Sequence, residues 1–347
     1  MSERDERRLV FTTLAVVFPL VLLAALSRGS VPLPAGGVVL SAIARLGLGG
    51  ASPLPETGEI ILWSVRFPRV LIAALVGGGL AVVGAALQSL FRNPLADAGL
   101  LGVGPGAALG AVLAVNLGWA QQRFMAMPLF ACAGALLALL LIYAIAHAGG
   151  RPTLSGLLLT GLAVSALAAA GTSVLLVATE EFRVRTVLFW LAGGLEGRGY
   201  EHLGLAAAFV LPGAAALLLL ARPLDVLSLG EEEAAALSLP VHGVRILVFG
   251  LCALVAGPVT AVAGAVPFVG LIAPHALRTL VGPPSRRLLP ASFLAGAILV
   301  VIADVAARSF GQYVELPLGS VTAFVGAPYF LLALRGQEGR GDRKSVV

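Results

Sequence analysis

Charged residues are scarce in this sequence. Asp, Glu, Lys and Arg together make up 12% of its 347 residues, against about 25% in ordinary soluble domains. Nine long stretches contain none of the four: 9–27, 70–91, 98–122, 124–150, 152–179, 203–221, 246–277, 288–303 and 316–334. A membrane-spanning helix needs about 20 mostly apolar residues. The distribution therefore excludes a soluble protein and predicts an all-α, polytopic membrane protein.

Lysine and cysteine are almost absent. Lys344 is the only lysine, so the sequence contains no phosphate-binding loop of the type G-x-x-x-x-G-K-[ST]. If ATP powers this protein, we expect ATP and Mg²⁺ to bind to another subunit, with no cofactor and no catalytic residue on this chain. Cys132 and Cys252 fall in predicted spans, where we expect them to pack as small apolar residues. The four histidines lack metal-ligand spacing, which predicts no metal site.

The longest charge-free stretch sets the number of spans. Its 32 residues, 246–277, are too many for one pass and include prolines and glycines that interrupt a helix. We therefore predict two helices there and about ten transmembrane helices in all. Segment 9–27 is long for a signal peptide and is interpreted as the first of them. No connecting segment can hold a separate soluble domain, so residues 1–347 are predicted to form one transmembrane domain.

The two ends of the chain are basic, and this predicts their location. Arginines cluster before the first span and after the last one, at Arg4, Arg7, Arg8, Arg335, Arg340 and Arg343. Short segments rich in Lys and Arg favour the cytoplasmic side, so both termini are predicted to be cytoplasmic. The net charge of +5 does not indicate nucleic-acid binding, because the cations lie in short membrane loops rather than on one face.

One hydrophilic segment near 225–240 has the features of a docking element. Residues 231–237 are good helix formers that follow Gly230, and the carboxylates of the first turn complement the helix dipole. Pro240 ends the segment. A short amphipathic helix can dock into a partner's groove; the alternative is a solvated loop helix with no partner.

Six segments, in order over residues 60–335, carry a family resemblance. They are RFPR at 66–69, GAALQ at 84–88, RNPLADAGLLG at 92–102, LGEEEA at 229–234, PFVGLIAPH at 267–275, and ELPLGSVT at 315–322 followed by GAP at 326–328. Together they resemble the FecCD permeases, the membrane subunits of ATP-binding-cassette importers for siderophore iron, haem and cobalamin. The resemblance implies a type II importer permease in the bacterial inner membrane. It also implies a homodimer with two cytoplasmic ATPase subunits and an external, soluble or lipid-anchored substrate-binding protein.

The same resemblance implies roles for particular residues. The segment that couples to the ATPase comprises Gly230, Glu231, Glu232, Glu233, Ala234, Leu237 and Ser238. The arginines that dock the binding protein are Arg66, Arg69 and Arg308. The cytoplasmic gate and the pathway comprise Thr153, Leu154, Ser155, Gly161 and Ser165. The chain departs from the family at Ser238, where glycine is usual, and at Leu154, where the best-matched relative has a hydroxyl residue.

Simpler roles remain open for these residues. Arg308 lies one helical turn after Asp304 and could form a local ion pair. Arg66 and Arg69 could anchor the second helix at the membrane interface. Small residues at four-residue spacing, such as Gly161 and Ser165, could serve helix packing alone.

Several candidate cargoes and two other protein classes were weighed against the importer prediction. We expect an iron chelate, a ferric siderophore or haem, as the cargo on the breadth of the family, with cobalamin as the alternative. Residues 180–185 fit the E-E-x-x-x-R pattern of an intramembrane protease family, but the histidine motifs of that chemistry do not occur in the sequence. A secondary transporter is disfavoured because Asp304 is the only ionisable residue that comes close to lying within a span.

Overall fold

Most of the described backbone of this chain is helical. The computed structural model describes residues 3–29, 31–148, 154–310 and 315–341, and these contain no β-strand. The helices are α1 Glu3–Ser27, α2 Ala35–Arg45, α3 Glu56–Ile60, α4 Phe67–Leu90, α5 Val103–Asn116, α6 Trp119–Gln122, α7 Ala126–Ala148, α8 Leu154–Val177, α9 Glu181–Leu191, α10 Tyr200–Leu219, α11 Ala221–Leu229, α12 Glu231–Ala236, α13 Val241–Ala263, α14 Val269–Val281, α15 Ser285–Ser309 and α16 Leu318–Gly341. A π-helix, Ile61–Arg66, joins α3 to α4, and a 3₁₀ turn, Ala98–Leu101, precedes α5.

All ten predicted spans coincide with helices, but the helices differ in length. Among the described residues, seven helices are long and apolar enough to cross a membrane, namely α1, α4 with its N-terminal extension, α7, α8, α10, α13 and α15. The other three predicted spans correspond to the shorter apolar helices α5, α14 and α16. The stretch 246–277 is indeed divided, since α13 ends at Ala263 and α14 begins at Val269.

The short helices α5 and α14 begin late because the backbone before each turns through a left-handed residue. Gly102 has φ +65° and precedes α5, and Phe268 has φ +68° and precedes α14. Gly102 therefore lies just before α5, whereas Gly106 and Gly110 lie within it. Asp97 accepts a hydrogen bond from the Gly99 N–H at 2.7 Å and caps the 3₁₀ turn.

Helix α4 is the centre of the bundle, and its glycines let neighbouring backbones approach closely. A Cβ on Gly77 would lie 2.1 Å from the Gly296 carbonyl oxygen on α15. A Cβ on Gly84 would lie 1.9 Å from the Gly270 carbonyl oxygen on α14. Only glycine permits either contact. In lipid, where apolar side chains gain little from leaving the lipid tails, such close packing is a main source of helix association.

The bundle has two ends that carry different polar groups. The N-terminal face holds Arg7 and Arg8 at the start of α1, next to Arg287 at the start of α15. The opposite face holds the far ends of the same two helices, where Arg308 donates to the Arg28 carbonyl at 3.0 Å. Helices α1 and α15 therefore run parallel. The Ser285 N–H donates to Asp225 Oδ1 at 2.6 Å, which places α11 on the N-terminal face.

Candidate functional surfaces

The predicted coupling segment is an exposed helix on the N-terminal face. Gly230 separates α11 from α12 with φ +148° and ψ 160°, a conformation open essentially to glycine alone. In α12 the three glutamates are exposed and Ala234 is fully buried, so one side of the helix anchors it and the other is free. Leu237 follows with 63% of its surface exposed. An exposed leucine beside carboxylates is suited to docking.

The end of α12 explains how the chain accommodates Ser238. Ser238 has φ +62°, the left-handed conformation that glycine adopts without strain. Its N–H donates to the Ala235 carbonyl at 2.9 Å, and the Leu239 N–H donates to the Ala234 carbonyl at 3.0 Å. These two bonds form a Schellman C-cap. The serine therefore preserves a turn for which the family resemblance implies glycine.

Two polar contacts tie this segment to the long helices. A guanidinium nitrogen of Arg245, near the start of α13, donates to a carboxylate oxygen of Glu231. Asp225 of α11 accepts from the first N–H of α15, at Ser285. Displacement of α11 and α12 would therefore be passed directly to α13 and α15.

A buried ionic cluster lies on the opposite face. Arg69 donates to both carboxylate oxygens of Glu315, at 3.0 and 2.7 Å, and its Nε donates to Asp304 Oδ1 at 3.0 Å. Arg308 Nε lies 3.2 Å from Asp304 Oδ2, which confirms the local pair expected from their spacing. Asp304 is completely buried. The cluster joins α4, α15 and the segment that enters α16.

Arg66 and Arg308 also hold the end of α1. Arg66 Nη1 donates to the carbonyls of Leu26 and Ser27, at 2.9 and 3.1 Å, and Arg308 Nη2 donates to the Ala25 carbonyl at 2.6 Å. The last carbonyls of a helix lack intrahelical partners and carry partial negative charge, so the two guanidinium groups cap α1.

The three arginines predicted to dock a binding protein are therefore largely buried in this chain. Arg66, Arg69 and Arg308 are 4%, 8% and 8% exposed, and their guanidinium groups bind internal acceptors. The docking role stays a prediction. The contacts of Arg66 anchor α1 to the segment before α4, a structural role that spacing alone did not reveal.

The predicted gate falls partly outside the described residues. Thr153 is outside them, and Leu154 and Ser155 open α8. Gly161 and Ser165 face the turn at Gly102, since a Cβ there would lie 3.6 Å from the Gly161 carbonyl oxygen and 3.3 Å from Ser165 Oγ. This contact supports the packing interpretation of the small-residue stripe. Roles in the gate and the pathway remain predictions.

The model of the FecCD transport family matches residues 16–336. This chain belongs to the FecCD transport family. It is a multi-pass permease of the ATP-binding-cassette importer type, as the six motifs predicted.

Several relatives cover most of this FecCD permease. The cobalamin import system permease protein BtuC of Halobacterium salinarum is 40% identical over 312 residues, 90% of this chain and 82% of the relative. The vitamin B12 import system permease protein BtuC of Salmonella typhimurium is 39% identical over 281 residues, 81% of this chain and 85% of the relative. These names favour the cobalamin alternative over the iron chelate that we expected.

A solved structure matches the whole fold. It is described as an inward-facing conformation of a metal-chelate type ABC transporter, and it is 29% identical with a TM-score of 0.83. The match covers 95% of this chain and 99% of that one. The short helices α5 and α14 both lie within residues 16–336, which the family model matches.

One feature of the opposite face was not found from the sequence. A cavity of about 460 Å³ is lined by Phe189 and Trp190 of α9, the loop 193–198, and residues 315–318. Arg69 and Asp304 form part of its wall. Its lining comes from segments far apart in the chain, which is why no local motif indicates it.

Proposed function

We propose that this chain is the cobalamin-translocating permease subunit of an ATP-binding-cassette importer. The observation that carries the proposal is the identity of about 40% to cobalamin permeases from an archaeon and from a bacterium, along 81–90% of the chain. The metal-chelate description of the structural match is compatible with this cargo, because cobalamin is a cobalt chelate.

The proposed assembly assigns a partner to each face. The chain works as a homodimer in the bacterial inner membrane, with both termini and the N-terminal face in the cytoplasm. The arginines at the starts of α1 and α15 support this orientation through the positive-inside rule. Two ATPase subunits dock on α12, and a substrate-binding protein docks on the opposite face.

The proposed mechanism passes motion from the ATPases to the helices. ATP binding draws the two ATPase subunits together, and each carries its α12 with it. The contact of Glu231 with Arg245 moves α13, and the contact of Asp225 with Ser285 moves α15. A partner can shift a conformational equilibrium only by contacting its two states differently, so the exposed surface of α12 is where that difference must arise.

The cargo is tested by reconstitution. The permease, its ATPase and its binding protein are incorporated into proteoliposomes, and uptake of labelled cobalamin, haem and a ferric siderophore is compared. We expect ATP-dependent uptake of cobalamin, with little uptake of the other two. Preferential uptake of haem or of the siderophore would refute the cargo assignment and leave the importer assignment intact.

A further inference from the structure

The cavity on the opposite face has the size of a small-molecule site. Its volume of about 460 Å³ falls in the range of roughly 300–1,000 Å³ typical of ligand pockets. Phe124, Phe189 and Trp190 form part of its wall, and Arg198 lies at one end of the loop that lines it.

Arg198 is a partly buried cation. Its Nη1 contacts His202 Nε2 at 3.1 Å, and its Nε is buried without a hydrogen-bond partner. No carboxylate of the described residues pairs with it, whereas Arg69, Arg245 and Arg308 each pair with at least one. Buried charges are ordinarily paired, because taking a charge out of water is costly. An unpaired one in a cavity suggests that the counter-ion arrives with a ligand.

His202 positions Arg198 but does not neutralise it. A guanidinium group can only donate, so His202 Nε2 accepts and the imidazole is neutral with its proton on Nδ1. His202 is fully buried and packs edge-on against Phe124, with ring centroids 4.6 Å apart. Loss of solvation lowers the pKa of Arg198 to about 10. At neutral pH the guanidinium group therefore remains charged.

The other charges that line the cavity are already matched or lie at its rim. Asp304 and Glu315 are bound by Arg69, and Glu196 is exposed. Among the described residues that line the cavity, Arg198 is thus the cation that no carboxylate neutralises, which favours an anionic ligand.

We propose that this cavity is an anion-binding subsite in which Arg198 binds the phosphodiester group of cobalamin on its way through the permease. The inference rests on the proposed function for the identity of the cargo. Cobalamin carries a single phosphodiester, in the loop that joins its nucleotide to the corrin ring, and its other side chains are amides. The cavity is too small for the whole cargo and would receive this loop.

The first test is direct binding of inorganic phosphate. The full-length permease in nanodiscs is titrated with phosphate while the fluorescence of Trp190 is followed, with Trp63 and Trp119 replaced by phenylalanine. We expect a saturable change that is lost in Arg198→Gln and kept in Arg123→Gln, a control at an exposed arginine of the same face. If the protein that keeps Arg198 shows no saturable change in Trp190 fluorescence, the proposed anion-binding subsite is refuted.

The second test separates the cargo from other sources of an anion. Uptake of cobalamin is compared with uptake of cobinamide, which lacks the phosphodiester and the nucleotide. Arg198→Gln should raise the half-saturating concentration of cobalamin roughly tenfold, as expected for loss of one charge-assisted hydrogen bond, and should leave that of cobinamide unchanged. Arg198→Lys, which keeps the charge, should recover part of the loss.

Other outcomes would contradict the proposal. An equal loss for both cargoes would indicate that Arg198 only supports the fold. If Arg198→Gln weakened the affinity of the permease for the substrate-free binding protein, Arg198 would belong to the docking surface for that protein instead. If the unaltered importer does not carry cobalamin, the proposed function fails. The phosphate titration then still decides whether the cavity binds anions.

Discussion

The exposed leucine of the coupling segment offers a quantitative test of how the permease meets its ATPase. Leu237 is 63% exposed in the chain, so Leu237→Ala removes little that holds the fold together. Complete burial of a leucine side chain is worth about 1.5–3 kcal/mol. Covering the exposed part of Leu237 in an interface is then worth about 1–2 kcal/mol, which corresponds to roughly 5- to 30-fold in affinity.

The assay is a titration of the ATPase subunit against the permease in nanodiscs, with and without Leu237→Ala. We expect weaker binding of that size, an unchanged melting temperature of the permease, and ATP hydrolysis that no longer drives uptake in proteoliposomes. Leu219→Ala is the matched control, because Leu219 is 84% exposed at the end of α10 and lies outside the coupling segment. Equal affinities for the Leu237→Ala and unaltered proteins would refute the docking of α12.

Two further substitutions test what holds the bundle together. Asp304→Asn should lower the free energy of unfolding of the purified permease by about 3 kcal/mol, because it leaves buried guanidinium groups without their shared carboxylate. Glu181→Gln, which changes an exposed carboxylate, should leave the melting temperature unchanged. Equal melting temperatures for the two variants would contradict the role of the cluster. Gly77→Ala should disrupt the contact of α4 with α15 at Gly296 and reduce the yield of folded protein. Gly250→Ala is the control, because its added methyl group would lie in open space and should be tolerated. Normal yield and uptake with Gly77→Ala would show that this close contact is not needed for folding or transport.

The spans could be predicted from the sequence because each membrane-spanning helix is one continuous apolar stretch of the chain. A helix that crosses lipid must exclude charge over its length, and the charge-free stretches found all ten positions. Local pairs were also readable: Asp304 and Arg308 are four residues apart and do interact.

Other features could not be read because they depend on contacts between distant residues. Arg69 binds Asp304 and Glu315, which are 235 and 246 residues away in the chain, so the sequence around Arg69 gave no sign that its charge is satisfied internally. The late start of α14 depends on the left-handed conformation of Phe268, a residue type that carries no signal for it. Arg198 and His202 are four residues apart, so a contact between them could be predicted from their spacing. The cavity beside Arg198 could not be predicted, because it is formed by segments far apart in the chain.

Transport itself is the most direct test of the central claim that this chain is the permease of a cobalamin importer. The measurement is uptake of labelled cobalamin into proteoliposomes that contain the permease, its ATPase and its binding protein, with ATP or a non-hydrolysable analogue. The account predicts accumulation that requires hydrolysable ATP and is lost when the binding protein is omitted. Accumulation without ATP, or no accumulation while another chelate is taken up, would contradict it.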